Sequence, residues 1–189
     1  MAAFDFDAAL RWARFDPKRT LARRSIDALP FIDDLATAGQ DLLLDTCVYI
    51  DQLQGRAPDA LADLLDVRQV NHSTVAIQEL MHAVGALDPK HSGTASAIRQ
   101  IGKVIKAMPA HRVFTPDADV LGRAAILCGI LCRVQGYSRD DKLRALQDSA
   151  LFLQAQKLGC TALTCNVGDF DYFLQLFPKS RVLFYQPVS

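Results

Sequence analysis

The chain has no surplus of either charge: 21 Lys and Arg face 21 Asp and Glu along 189 residues. Coating nucleic acid or an anionic membrane by bulk charge requires a positive field, so any contact with phosphates has to be local. Cysteine is scarce, with five residues at 47, 128, 132, 160 and 165 and no CxxC pair. An odd number without that spacing excludes a disulfide framework and a zinc knuckle, and the five read as reduced, mostly buried thiols. With only 10 glycines and 8 prolines, collagen-like and low-complexity classes are excluded as well. Long apolar runs are missing too. The longest, 124–132, contains Gly129 and is too short for a bilayer, and Asp5 and Asp7 precede any basic residue without a signal-like apolar segment. The expectation is a soluble cytoplasmic protein with no membrane partner.

Several chemical signatures are absent. No two glycines stand at i,i+2 and no Walker lysine follows a glycine pair, which removes dinucleotide and P-loop readings. There is no Gly-x-Ser-x-Gly elbow for a serine hydrolase. His72, His91 and His111 have no metal-binding spacing, and Glu79-Leu80-Met81-His82, the i,i+3 pair of di-iron bundles, lacks the second copy that such a site needs.

What is present is a chain that is half hydrophobic, 22% charged and of mean hydropathy +0.10, enough for a sizeable core. Residues 1–40 read as a largely helical amino-terminal arm, broken by Pro17 and Pro30. Its middle is basic: Arg11, Arg14, Lys18, Arg19, Arg23 and Arg24 stand against the single acid Asp16. That stretch reads either as a solvated helix face or as an RNA-binding arm. Over 41–189 short apolar runs alternate with longer amphipathic segments, as expected of βα units and a mainly parallel sheet. The predicted strands are 42–44, 69–71, 113–114, 162–163 and 182–185, and the predicted helices 59–65, 75–84, 95–107, 117–134 and 140–158. Thr115 with Pro116 is the expected start of the fourth helix, Ser73 or Thr74 that of the second, and Gly159 the stop of the last. No repeat or second domain is evident.

Four carboxylates fall where such a fold binds ligands. The leucine run 42–44 stops at Asp45, which marks the carboxyl end of a buried strand. Glu79 lies early in the helix after the second strand, and Asp148 interrupts the apolar pattern of Leu143, Leu146, Ala150, Leu151 and Leu153. A last strand ends in Thr164-Cys165-Asn166-Val167-Gly168-Asp169, with Asp171 two positions on. Carboxylates brought close together repel and are tolerated chiefly when they share a proton or a divalent cation, and hard oxygen donors suit Mg²⁺ or Mn²⁺. Ordinary caps and solvated acids explain the same spacing equally well. Arg99, Lys103 and Lys106 share one helix face, either phosphate-binding or simply solvated.

In this order the pieces resemble a PIN-domain nuclease, in particular the VapC-type toxins of bacterial toxin–antitoxin pairs. They are residues 44–51, residues 73–80, Asp148 followed by Ala150, Leu151 and Ala155, and residues 163–170, within a span of 41–186. The resemblance implies a three-layer α/β/α fold and Mg²⁺- or Mn²⁺-dependent endoribonuclease activity. It implies an acidic pocket of Asp45, Glu79, Asp148 and Asp169, with Thr164 and Thr46 orienting the acids or the attacking water. Some family members carry an acid two residues after the threonine, where this chain has Asn166. The fourth carboxylate is then Asp169 or Asp171, and Asn166 a neutral ligand or donor. The arm is a second departure, since the simplest toxins begin almost at the first strand. The resemblance also implies an RNA substrate, a small antitoxin partner and a homodimer. The alternative is a PIN-like scaffold that binds RNA or protein without cutting.

Overall fold

The computed structural model describes residues 4–32 and 39–188. A short helix, α1 (Phe6–Leu10), precedes five strands: β1 (Leu42–Leu44), β2 (Val70–Ser73), β3 (Val113–Phe114), β4 (Thr161–Thr164) and β5 (Val182–Phe184). The strands form one all-parallel sheet in the order β3-β2-β1-β4-β5. Parallel neighbours cannot be joined by tight turns and need crossovers. Those are α2 (Thr46–Leu53) and α3 (Asp59–Val67), then α4 (Thr74–Ala86) and α5 (Thr94–Ala107), then α6 (Ala118–Gln135) and α7 (Arg139–Leu158), and finally α8 (Val167–Leu176).

The period-two alternation of the strands sends their side chains into two separate cores. Leu43, Ala162, Val182 and Phe184 pack with Leu127 and Leu131 of α6, Leu151 and Phe152 of α7, and Phe170 and Phe173 of α8. Leu42, Leu44, Leu163 and Tyr185 pack on the opposite side with Val48 of α2, Leu61 of α3 and Leu80 of α4. Helices therefore cover both sheet faces, which is the three-layer α/β/α arrangement expected.

All five predicted strands are present. The predicted helices are present too, but α2 and α8 were not anticipated. Two local details differ. The cap of α6 is Asp117, whose carboxylate accepts from the Val120 amide, rather than Thr115. Leu143 and Leu146 of α7 are exposed, while Ala145, Asp148 and Ser149 are buried, so the buried stripe of α7 runs through the acid itself. Gly159 does end α7, with a left-handed φ of 70° that any side chain would strain. All five cysteines are free, but only Cys128 and Cys160 are buried; Cys47, Cys132 and Cys165 are half-buried. No helix among the described residues is long and apolar enough to cross a membrane.

Helix in the amino-terminal arm is confined to α1 and two 3₁₀ turns, Arg11–Phe15 and Ile26–Ala28. Pro17 offers no amide donor, Lys18 takes a left-handed φ of 56°, and residues 20–24 bond to the body rather than to one another. Leu35 and the rest of 33–38 lie outside the described residues. Trp12 and Phe15 of the arm stack on Phe177, with ring centroids 5.2 and 4.5 Å away. Near its end the Ile32 amide donates to the Phe184 carbonyl and the Phe184 amide to the Pro30 carbonyl, both at 2.8 Å. This pairing covers the otherwise open edge of β5.

Candidate active site

The strand order places a topological switch between β1 and β4: the chain leaves β1 toward β2 on one side and β4 toward β5 on the other. Loops at the carboxyl ends of two such strands diverge and leave a crevice. Asp45 follows β1 and Thr164 ends β4 at this point. Asp45 is buried, and its carboxylate accepts from the Thr164 hydroxyl at 2.5 Å and the Cys47 thiol at 3.3 Å. It also accepts from the Thr46 amide at 2.7 Å, at the start of α2.

The Thr46 hydroxyl in turn donates to Glu79, which α4 presents from the neighbouring crossover. Ser73 caps α4 by accepting from the Val75 amide at 3.0 Å, which fixes where the first turn begins and so where Glu79 lies. From the other sheet face, α7 contributes the buried Asp148. Asn166 ties this acid to the last one: its side-chain amide donates to Asp148 at 2.9 Å and to Asp169 at 3.5 Å. Asn166 itself is held by its backbone amide on the Thr164 hydroxyl at 2.9 Å, and its side-chain oxygen accepts from the Asp169 amide at 3.3 Å. Of the two alternatives for the fourth acid, Asp169 thus shares a donor with Asp148. Asp171 is fully buried on the far side of α8, bonded to Arg24.

A cleft of about 450 Å³ opens onto this constellation, lined by Asp45, Thr46, Glu79, His82, Arg144 and Asp148 among others. Arg99, Lys103 and Lys106 are exposed on α5 and do not line it. Sequence reasoning passed over Arg144, although it stands at i−4 from Asp148 on the same helix, spacing that places the two on one face. It also missed Tyr137, which follows the left-handed Gly136 at the α6–α7 turn and donates its hydroxyl to Asp169. No periodicity marks a turn tyrosine, so nothing in the sequence singles it out.

The electrostatics follow from crowding like charges in a buried place. Burial raises the Asp148 pKa well above the usual value, and the charges of Asp45 and Asp169, a hydrogen bond with Asp169 and the charge of Glu79 push it further. Asp45 is also raised, chiefly by burial, against the bonds from Thr164, Cys47 and Thr46. Burial lifts Glu79 to about 7; the Thr46 bond opposes this, Asp45 adds to it, and Arg144 counters weakly. Asp148 thus senses all three other acids.

A linked consequence for the cation-free fold can be measured. The folded pKa of Glu79 lies above its ordinary 4.5, so the native state holds a proton that the unfolded state has lost between pH 4.5 and 7. Stability contributed by this group is therefore complete below 4.5 and is lost as pH rises through 7. Asp45 and Asp148 act with the same sign; His72, whose pKa burial lowers from 6.5, opposes them. Thermal melts in chelator are expected to show a midpoint that rises as pH falls from 8 to 5, and Glu79→Gln to flatten that rise. A midpoint that falls over the same interval contradicts this charge distribution.

Among the described residues no three His, Cys, Asp or Glu side chains stand in a ready-made metal cage. The donor chemistry nevertheless fits a hard divalent cation: carboxylate oxygens supplied by four elements, a neutral amide between two of them, and a shared excess of negative charge.

No family model and no curated relative matches the sequence. Solved structures do match in fold. FitAcB from Neisseria gonorrhoeae aligns with a TM-score of 0.53 at 17% identity, over 76% of this chain and 96% of the matched one. VapBC2 from Rickettsia felis, bound to a DNA fragment from the promoter, gives 0.51 at 14% identity over 77% and 98%. DNA-bound VapBC from Salmonella typhimurium gives 0.51 at 15% over 76% and 97%. At these identities the likeness shows the fold.

Proposed function

We propose that this chain, with its PIN-like three-layer fold, is a Mg²⁺- or Mn²⁺-dependent endoribonuclease acting in the cytoplasm as the toxin of a toxin–antitoxin pair. The observation that carries the reading is the convergence of Asp45, Glu79 and Asp148 on one cleft at the β1–β4 switch, with Asp169 joined to Asp148 through Asn166, each carboxylate delivered by a different crossover. Bringing four acids together, two of them buried and two half-buried, is electrostatically unfavourable and has a clear use only where positive charge is brought in. These carboxylates would hold a divalent cation, which when bound would offset the phosphate charge and favour ionisation of the attacking water.

The chain's own residues do the rest. Thr164 and Thr46 fix the orientation of Asp45 and Glu79, and Asn166 fixes that of Asp148 and Asp169. In the cation-free cleft burial holds Glu79 at about 7, so its carboxylate keeps a proton near neutrality until positive charge is brought in. Arg144 and His82 at the cleft wall meet the negative charge of the RNA backbone. The neighbouring VapBC and FitAcB assemblies support an antitoxin partner, and the acidic cleft suits its basic side chains; a homodimer completes the proposal.

The test is cleavage of a pool of tRNA and structured RNA with Mg²⁺ or Mn²⁺ against a chelator, wild type beside Asp45→Asn. Expected are products with 5′-phosphate and 3′-hydroxyl ends, lost with the chelator and in the variant. A 2′,3′-cyclic phosphate sinks the hydrolytic route, because it requires attack by the 2′-hydroxyl. A folded, cation-supplied protein that binds RNA or a partner and cuts nothing is the non-catalytic scaffold instead.

A further inference from the structure

The basic stretch of the amino-terminal arm does not float. Every residue from Thr20 to Arg24 has a fixed partner far along the chain. The Thr20 hydroxyl donates to the Val134 carbonyl at 3.2 Å. Leu21 exchanges two bonds with the Gln135 side chain, at 3.3 and 3.2 Å. Gln175 donates to the Ala22 carbonyl at 2.9 Å. Arg24 donates to the fully buried Asp171 from its backbone amide at 2.9 Å and from Nε at 2.6 Å. Between these clamps stands Arg23, whose side chain runs the other way, toward the amino end of α8.

There its Nε donates to the Tyr172 hydroxyl at 3.3 Å and its guanidinium carbon lies 5.5 Å from the centre of that ring. A methyl group built on Gly168 meets both terminal nitrogens at 3.2 Å and the Asn166 side-chain oxygen at the same distance. The guanidinium is therefore a neighbour of Asn166, the residue that joins Asp148 to Asp169. The Arg23 pKa is raised first by the Tyr172 bond and then by Tyr137 and Asp169, with burial opposing, which places the same acid within its field. Yet among the described residues Arg23 forms no salt bridge, and its two terminal nitrogens donate to nothing; the residue is exposed.

Fixing an arginine costs side-chain entropy, and here the fold does so without using its two outermost donors. The ring of Tyr172 backs the guanidinium, and the acid in its field, Asp169, belongs to the cluster that is to meet a phosphodiester. We infer that Arg23 is a substrate-positioning residue, which grips a non-bridging phosphate oxygen of single-stranded RNA beside the scissile bond. The arm thereby brings a positive group to the Asn166–Asp169 side of the acids. This rests on the nuclease reading above and goes beyond it in naming the residue that sets where the strand lies.

A contact made equally in the ground and transition states moves KM rather than kcat. Arg23→Gln, in the full chain, is therefore expected to raise KM for a single-stranded RNA about tenfold while kcat stays within about twofold. RNA binding is measured separately in an Asp148→Asn background, where nothing is cut. There the slope of log K against log salt is expected to fall by about 0.7, the loss of one phosphate contact on a single strand. Arg23→Lys returns the slope, and Arg19→Gln, an exposed charge on the same arm, leaves it unchanged. Thermal midpoints of all three check that the arm stays docked.

Unchanged KM and slope in Arg23→Gln, in a chain that cuts and binds RNA, overturn the role of Arg23 and leave the nuclease standing. An equal effect from Arg19→Gln also overturns it, since a diffuse basic arm then suffices. A wild-type chain that neither cuts nor binds RNA overturns the nuclease and this inference together. Cutting that fails while binding persists sinks only the catalytic reading, and the salt slope still decides for or against Arg23.

Discussion

Replacing Asp148 by Asn is expected to abolish RNA cleavage and to make the metal-free protein more stable. The two effects have one origin. Asp148 is buried among three other carboxylates, and its acidity is weakened by burial first and by Asp45, Asp169 and Glu79 after that. An asparagine keeps the shape, still accepts from Asn166 and can donate to Asp169, but removes a charge that the fold accommodates poorly. A gain on the order of 1–2 kcal/mol raises the midpoint by roughly 2–8 °C in a chain of this size. In the proposed reaction the same change deletes one of the oxygens that would hold a cation, and a loss of at least about 10²–10³-fold in rate follows. Melts at pH 8 in chelator and RNA cleavage with Mn²⁺ test the pair. A variant that is both less stable and still active shows that Asp148 is an ordinary buried polar group.

The second large effect is expected at the arm. Arg24→Ala leaves Asp171, which is 0% exposed, with the Arg24 backbone amide and Gln175 as donors but without a compensating charge. Breaking a buried pair by removing one partner typically costs 3–5 kcal/mol. Arg24 is about one-third exposed, which reduces this to about 2–3 kcal/mol, or roughly 4–12 °C. The single tryptophan of the chain, Trp12, sits in the arm against Phe177 and reports on its docking. Its emission is expected to shift at lower denaturant than the far-ultraviolet dichroism in Arg24→Ala, whereas the two coincide in wild type. Adding Asp171→Asn removes the orphaned charge and should recover part of the loss, a coupling that a double-mutant cycle isolates. Unaltered melting and emission in Arg24→Ala would falsify the anchoring role.

Where sequence and structure agree, the residues show why. Leu42–Leu44 is short and apolar and ends in an acid, which leaves little choice but a buried strand with a carboxylate at its rim. Ser73 and Gly159 do what capping chemistry asks of them. The helices missed are instructive. In α8 five consecutive residues, Phe170 to Leu174, are all buried, so no polar face interrupts the pattern to reveal a helix. The eight residues of α2 likewise show little contrast between faces, with both Asp51 and Val48 buried. The acids themselves were legible one by one. Their convergence was not, because it depends on the strand order, and the contact of Arg23 with Tyr172 spans 149 positions that no periodicity can bridge.

That separation has a consequence for the order of events during synthesis. The arm is synthesised well before its partners at Val134, Gln135, Asp171 and Gln175, which follow it by 114 to 153 positions. At about 5–20 residues per second the arm therefore waits roughly 6–30 seconds for its seat. Until then β5 has no cover and Arg23 has no place beside the acids. A chain stopped before α8 lacks both Asp169 and the seat of the arm, so the acidic site and the cover of its sheet are finished together.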